Sequence, residues 1–96
     1  MVVPTIGKDC VIMPGVILGE NTIDSVRRQI RDEIRASPVL GRGVFVRAGA
    51  KIIGPVFAGD RSKIGANAVV LEDVPAGATP VGIPARIARV SGNDDL

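Results

Sequence analysis

The chain has 96 residues, room for one small domain that buries only a modest share of its surface, so support from self-association is expected. Twelve Lys and Arg against ten Asp and Glu leave a net charge of +2, too balanced to mark a nucleic-acid binder, and no basic run is interleaved with aromatics. One cysteine, no histidine and 2% aromatic residues exclude a disulfide framework, a histidine-built metal site and a core packed around rings.

The stretch Met1-Val2-Val3-Pro4 has no basic region leading into an apolar run, and nowhere do apolar residues approach the ~18 needed to span a bilayer. A cytoplasmic protein without membrane contact is the expectation. From Ile6 onward an aliphatic or small residue recurs at every sixth position: Ile6, Ile12 and Leu18, then Leu40, Val46, Ile52, Ala58, Ile64, Val70 and Ala76. A period of six is the mark of a hexapeptide solenoid, in which each repeat is a short strand plus a turn that cannot bury its apolar face alone. Three such repeats close one triangular coil. Residues 6–23 therefore make one coil, residues 40–75 two more, and residues 76–96 a C-terminal cap.

Residues 24–39 interrupt the period. Asp24 or Ser25 is a suitable N-cap, and Ile23, Val26, Ile30 and Ile34 fall at helical spacing with Arg27, Arg28, Arg31 and Arg35 around them. The spacing predicts a helix of about three turns inserted at a corner of the coil and stopped by Pro38. Its arginines read as a solvated face around a docked apolar stripe, with contact to an anionic ligand or a partner as the alternative.

Three further columns refine the repeat. Four residues after the starts stand Cys10, Val16, Thr22, Val44, Ala50, Val56, Ser62, Ala68, Val74 and Pro80, none larger than valine, as a narrow interior demands. Cys10 is thereby read as a structural thiol and not a nucleophile. Three residues after the starts stand Asp9, Gly15, Asn21, Gly43, Gly49, Asn67 and Asp73, types that accept a positive φ in a turn, while Pro55 and Arg61 break the column. Five residues after the starts, outward-pointing, stand Val11, Ile17, Ile23, Phe45, Lys51, Phe57, Lys63, Val69 and Pro75. So many apolar residues on the outside imply that one or two faces are buried against other chains or the inserted helix, most simply in a homotrimer.

The stretch Gly43-Val44-Phe45-Val46-Arg47-Ala48-Gly49-Ala50-Lys51-Ile52-Ile53-Gly54-Pro55, with Gly59-Asp60 and Lys63-Ile64-Gly65-Ala66-Asn67-Ala68-Val69-Val70, resembles the hexapeptide-repeat acyltransferases, and among them the C-terminal part of serine acetyltransferases. Asp73-Val74-Pro75-Ala76-Gly77-Ala78-Thr79 and Val81-Gly82-Ile83-Pro84-Ala85-Arg86-Ile87 resemble that family's closing segment. The resemblance covers residues 5–23 and 37–88. It implies an all-β solenoid, a left-handed parallel β-helix of about three coils with one helical insertion, assembled as a trimer with acetyl-CoA in the groove between subunits.

By the same resemblance, Ala48, Gly49, Ala66, Asn67 and Ala68 would lie along the pantetheine arm, with Lys63, Arg86 and Arg89 near the phosphates and a small hydroxyl-bearing acceptor beyond. The family's general base is a histidine. This chain has none, and Ser37 before Pro38 holds the place where serine acetyltransferases carry one. A serine hydroxyl is no base at neutral pH without an activating neighbour. Glu20, Asp24 and Glu33 near the insert are the carboxylates that remain as substitutes, and Glu72 stands where a carboxylate would repel phosphate if it faced the same way. The family's helical N-terminal domain has no counterpart in residues 1–96, so the resemblance is to the last part of such an enzyme. Two functions fit: an acetyl-CoA-dependent O-acetyltransferase with its base missing, or a non-catalytic trimeric scaffold that uses the insert. Zinc carbonic anhydrases of the same fold are excluded, because their metal needs three histidines.

Overall fold

The computed structural model describes residues 4–19 and 37–90. Strands β1 (Thr5–Ile6), β2 (Val11–Ile12) and β3 (Ile17–Gly19) form a first coil, and β4 (Val39–Leu40), β5 (Phe45–Val46) and β6 (Lys51–Ile53) a second. A third follows in β7 (Phe57–Ala58), β8 (Lys63–Ile64) and β9 (Val69–Val70). Each strand pairs in parallel with its equivalent one coil on, giving three ladders, β1-β4-β7, β2-β5-β8 and β3-β6-β9. This is the three-coil solenoid expected from the repeat, in the left-handed parallel β-helix form that the resemblance implies.

The register measures the interruption. Val39 pairs with Phe57, 18 residues on, whereas Thr5 pairs with Val39, 34 residues on, so 16 residues exceed the period at that corner. The expected helical insert, 24–39, lies outside the described residues except at its end. There Ser37 and Pro38 are buried in the coil wall and Val39 already belongs to β4, because its amide completes the ladder to Val56 O at 2.9 Å. The second coil thus starts ahead of the expected boundary at 40.

The starts of the repeats point inward. Leu40, Val46, Ile52, Ala58, Ile64 and Val70 are 0–2% exposed, and beside them Val44, Ala50, Val56, Ser62, Ala68 and Val74 are 0–3% exposed. Ala76 does not continue the column: it is exposed, and Ala78 is the buried residue instead. The chain leaves the helical path there through Gly77 (φ 73°), and Ala78 N bonds back to Pro75 O at 3.1 Å. The described part of the expected cap is an antiparallel hairpin, β10 (Ala78–Val81) with β11 (Arg86–Val90). Gly65 N to Pro80 O at 2.9 Å and Val69 N to Gly82 O at 3.0 Å seat it on the third coil. Toward the opposite end, Ile6 and Ile12 occupy the same inward column yet are 47% and 39% exposed.

Turn geometry follows the sequence column with three amendments among the described residues. Asp9, Gly15, Gly43, Gly49 and Asn67 have φ between 60° and 81°, and Arg61, expected to break the column, joins it at 58°. Stacking overrides the residue's own preference: Arg61 N bonds to Arg42 O in the turn beneath, at 2.7 Å, so the ladder imposes the conformation. At Pro55, whose ring fixes φ negative, the role passes to Gly54 at φ 92°. Asp73 takes another task, its Oδ1 accepting from Phe57 N at 2.8 Å.

Cys10 is half-buried and its Sγ donates to Gly41 O at 3.2 Å, as a packed thiol does. Ser62 is the misfit of the interior, because its hydroxyl is fully buried with no hydrogen-bond partner. An unmet buried hydroxyl costs about 1–3 kcal/mol. Ser62→Ala is therefore expected to raise the melting temperature by several degrees in a circular dichroism melt, at about 4–8 °C per kcal/mol for a domain of this size.

Candidate functional site

At the corner after β2, β5 and β8 the turns Pro14-Gly15, Ala48-Gly49 and Ala66-Asn67 stack, joined by Gly49 N to Pro14 O at 3.1 Å and Asn67 N to Ala48 O at 3.0 Å. Ala48 and Ala66 are exposed there, so at those two positions only a methyl group stands over the main chain. Gly49 must lack a side chain for a second reason: a Cβ would collide with the Oδ1 of Asn67. Ala68 lies inside the coil, fully buried, with its amide bonded to Gly65 O and its carbonyl to Lys51 N. Of the expected small residues, Ala48, Gly49, Ala66 and Asn67 thus share the corner, and Ala68 supports it from within.

Beside this corner runs the outer face of the β2-β5-β8 ladder, where Val11, Phe45 and Lys63 stack in register. The Arg47 guanidinium lies over the Phe45 ring, 5.4 Å from its centroid. The hairpin comes down on the same face and leaves a cleft of about 300 Å³ lined by Arg47, Lys63, Thr79, Ala88 and Arg89. Three cationic residues thus line this cleft, and among the described residues no carboxylate does. Lys63 and Arg89 were legible as candidates; Arg47 and Thr79 were not. The available signal was that Arg47 is the one charged residue in the column one after the starts, which otherwise carries six glycines with Met13, Ile53 and Leu71.

Arg86 lies elsewhere. It lines a separate cleft of about 520 Å³ with Leu71, Glu72, Asp73 and Ile87, and its Nη1 donates to Ala85 O at 3.3 Å. Glu72 therefore lines the same cleft as Arg86 and not the three-cation cleft. Ser37 is 3% exposed and lines neither cleft. Glu20, Asp24 and Glu33 fall outside the described residues. Among the described residues no three His, Cys, Asp or Glu side chains gather to hold a metal, and no helix is long and apolar enough to cross a membrane.

An 18-residue coil with aliphatic starts and small companions defines a hexapeptide-repeat protein. Within that class the chain is related to the C-terminal part of serine acetyltransferases. The serine acetyltransferase of Synechococcus elongatus is 41% identical over 87 residues, 91% of this chain and 32% of the relative. A solved serine acetyltransferase in complex with CoA superposes with a TM-score of 0.73 at 42% identity, covering 90% of this chain and 31% of that one. The Neisseria gonorrhoeae serine acetyltransferase in complex with serine gives 0.75 at 32% identity, with 90% and 31% coverage. The chain thus spans about a third of the length of these relatives. No family model matches it.

Proposed function

We propose that the chain is the coenzyme-binding solenoid of an acetyl-CoA-dependent O-acetyltransferase of the serine acetyltransferase type. The observation that carries this reading is the corner at which exposed Ala48 and Ala66 carry only methyl groups, running alongside a cleft lined by three cations. A pantetheine arm needs close access to the main chain, and a phosphorylated head needs cations at its end. The groove is completed by a neighbouring subunit in a cytoplasmic homotrimer, which also covers Val11 and Ile17, each 49% exposed, and Phe57, 41% exposed. The acceptor is a small hydroxyl-bearing molecule.

Chemistry is the weaker half of this function. A positioned base contributes ~10²–10⁴ in rate. The chain has no histidine, and Ser37, at the place of the family's base, is buried. Residues 1–96 by themselves are accordingly proposed to bind the coenzyme but to transfer acetyl groups slowly, which favours a degenerate enzyme or, as a second reading, a trimeric scaffold. Isothermal titration with CoA is the test. Saturable heat together with serine-dependent CoA release only a few-fold above background is the expected pair of results. No heat at millimolar CoA removes the coenzyme groove, and rapid turnover refutes the absence of a base.

A further inference from the structure

We propose that the cleft of about 520 Å³ between residues 71–74 and the start of β11 binds a free α-amino acid with an apolar side chain. Arg86 meets its carboxylate, Glu72 meets its ammonium, and the side chain rests on a floor of Val70, Val74 and Pro80. The site lies beyond the coenzyme reading given above and does not rest on it. Three observations carry it.

The first is the mixture of charge around an apolar floor. Val70 and Val74 are 2% and 3% exposed and Pro80 is buried, so the floor is the upper surface of the coil's own core. Glu72 and Asp73, from the end of the third coil, and Arg86, from the hairpin, form an exposed rim. Two carboxylates repel a phosphorylated head, the guanidinium repels a polyamine, and among the described residues no aromatic ring lines the cleft for a base to stack on. A zwitterion escapes all three objections. A free amino acid carries both charges on neighbouring atoms together with one side chain, which is the combination the cleft presents.

The second is that both rims are anchored. Asp73 Oδ1 accepts from Phe57 N at 2.8 Å, which ties down the third-coil rim and commits that carboxylate, so the ammonium falls to Glu72. Across the cleft Ala85 N bonds to Val69 O at 2.8 Å, seating the base of Arg86 on β9, and Arg86 Nη1 donates to Ala85 O at 3.3 Å. The rest of the guanidinium fork remains to donate, and a rim already placed loses less freedom on binding. The third is separation from the cationic cleft. Arg86 and Ile87 of β11 line this cleft and Ala88 and Arg89 the other, so the two can be filled together.

The probe is L-leucine, titrated into the ¹⁵N-labelled 96-residue chain and followed by amide chemical shifts. Saturable shifts at residues 70–74 and 85–87 are expected, with glycine, which keeps both charges and lacks the side chain, about tenfold weaker or more. Leucinamide lacks the carboxylate and N-acetyl-leucine the ammonium, and each is expected about fivefold weaker than leucine, because the groups that meet those charges are exposed. The variants cross with the analogues: Arg86→Gln erases the difference between leucine and leucinamide, and Glu72→Gln that between leucine and N-acetyl-leucine. Lys8→Gln, in the turn after β1, is the control expected to leave leucine affinity within twofold, and the amide spectrum shows that each variant is folded. Shifts that never saturate, or equal affinity for leucine, leucinamide and N-acetyl-leucine, overturn the site. CoA added to the leucine-saturated chain is the last arm. Displacement of leucine gives the cleft to the coenzyme and overturns the proposal, whereas CoA binding alongside leucine upholds it. Leucine binding with no CoA binding upholds it too and sinks only the coenzyme groove.

Discussion

Gly59→Val is expected to leave the chain without a cooperative melting transition. A Cβ at Gly59 would stand 2.5 Å from Ala76 N, 2.8 Å from Ala76 Cα and 2.9 Å from the Pro75 carbonyl carbon. All three are main-chain atoms where the third coil passes into the hairpin, so no rotamer change relieves the overlap. Gly59 N also bonds to Val74 O at 2.8 Å, and pushing the strands apart breaks that link too. Overpacking a tight interior costs typically 1–3 kcal/mol where neighbours can yield and more where they cannot, against a total stability near the low end of ~5–15 kcal/mol for so small a body. Gly15→Ala separates space from conformation. A Cβ there meets nothing nearer than 3.5 Å, although φ is 81°, so only the left-handed backbone penalty of about 1 kcal/mol applies. Far-ultraviolet circular dichroism on the two variants reads the difference directly, and a folded Gly59→Val with an unshifted melt would mean that the coil-to-hairpin junction is not packed as described.

The second large effect belongs to Ile52. It is fully buried at the middle of the β3-β6-β9 ladder, with Leu18 beneath it and Val70 above in register. Ile52→Ala opens a cavity that main-chain ladders on both sides prevent from collapsing, for a loss of about 2–5 kcal/mol and at least about 10 °C in melting temperature. Ile12→Ala removes the same atoms from the same column in the first coil, where the residue is already 39% exposed. Its expected cost is under half as great. Equal losses from the two variants would show that the first coil is covered in solution.

The contrast between those two residues also marks what periodicity reveals and what it hides. Period six identifies inward residues because an 18-residue coil returns every sixth side chain to the axis, and Leu40 to Val70 obey it without exception. The count carries no information about where the coil stops. Ala76 satisfies the spacing and is nevertheless outside, since Gly77 turns the chain away just before Ala78. Arg61 misled in the other direction, because single-residue preference says nothing of a hydrogen bond from the turn below. The candidate site was half legible for a related reason. Lys63 lies within the repeat, but its partner Arg89 is brought to it by the hairpin, and Arg86, three residues away in sequence, is carried to a different cleft beside Glu72.

One end of the solenoid is stoppered by the hairpin and the other leaves Ile6 and Ile12 half in solvent. That difference gives the molecule a direction. The carbonyls of Leu40 and Val46 accept from Gly7 and Met13, so the repeat turns the equivalent carbonyls of Ile6 and Ile12 away from the second coil. Coils grafted in frame ahead of Pro4 would lengthen the rod by about 4.8 Å apiece and draw Ile6 and Ile12 into the core. Coils grafted behind Val70 would first have to displace the hairpin from Gly65 and Val69. Elongation is thus vectorial, and the cationic cleft, being built from the stopper, keeps a constant distance from the closed end however tall the stack becomes.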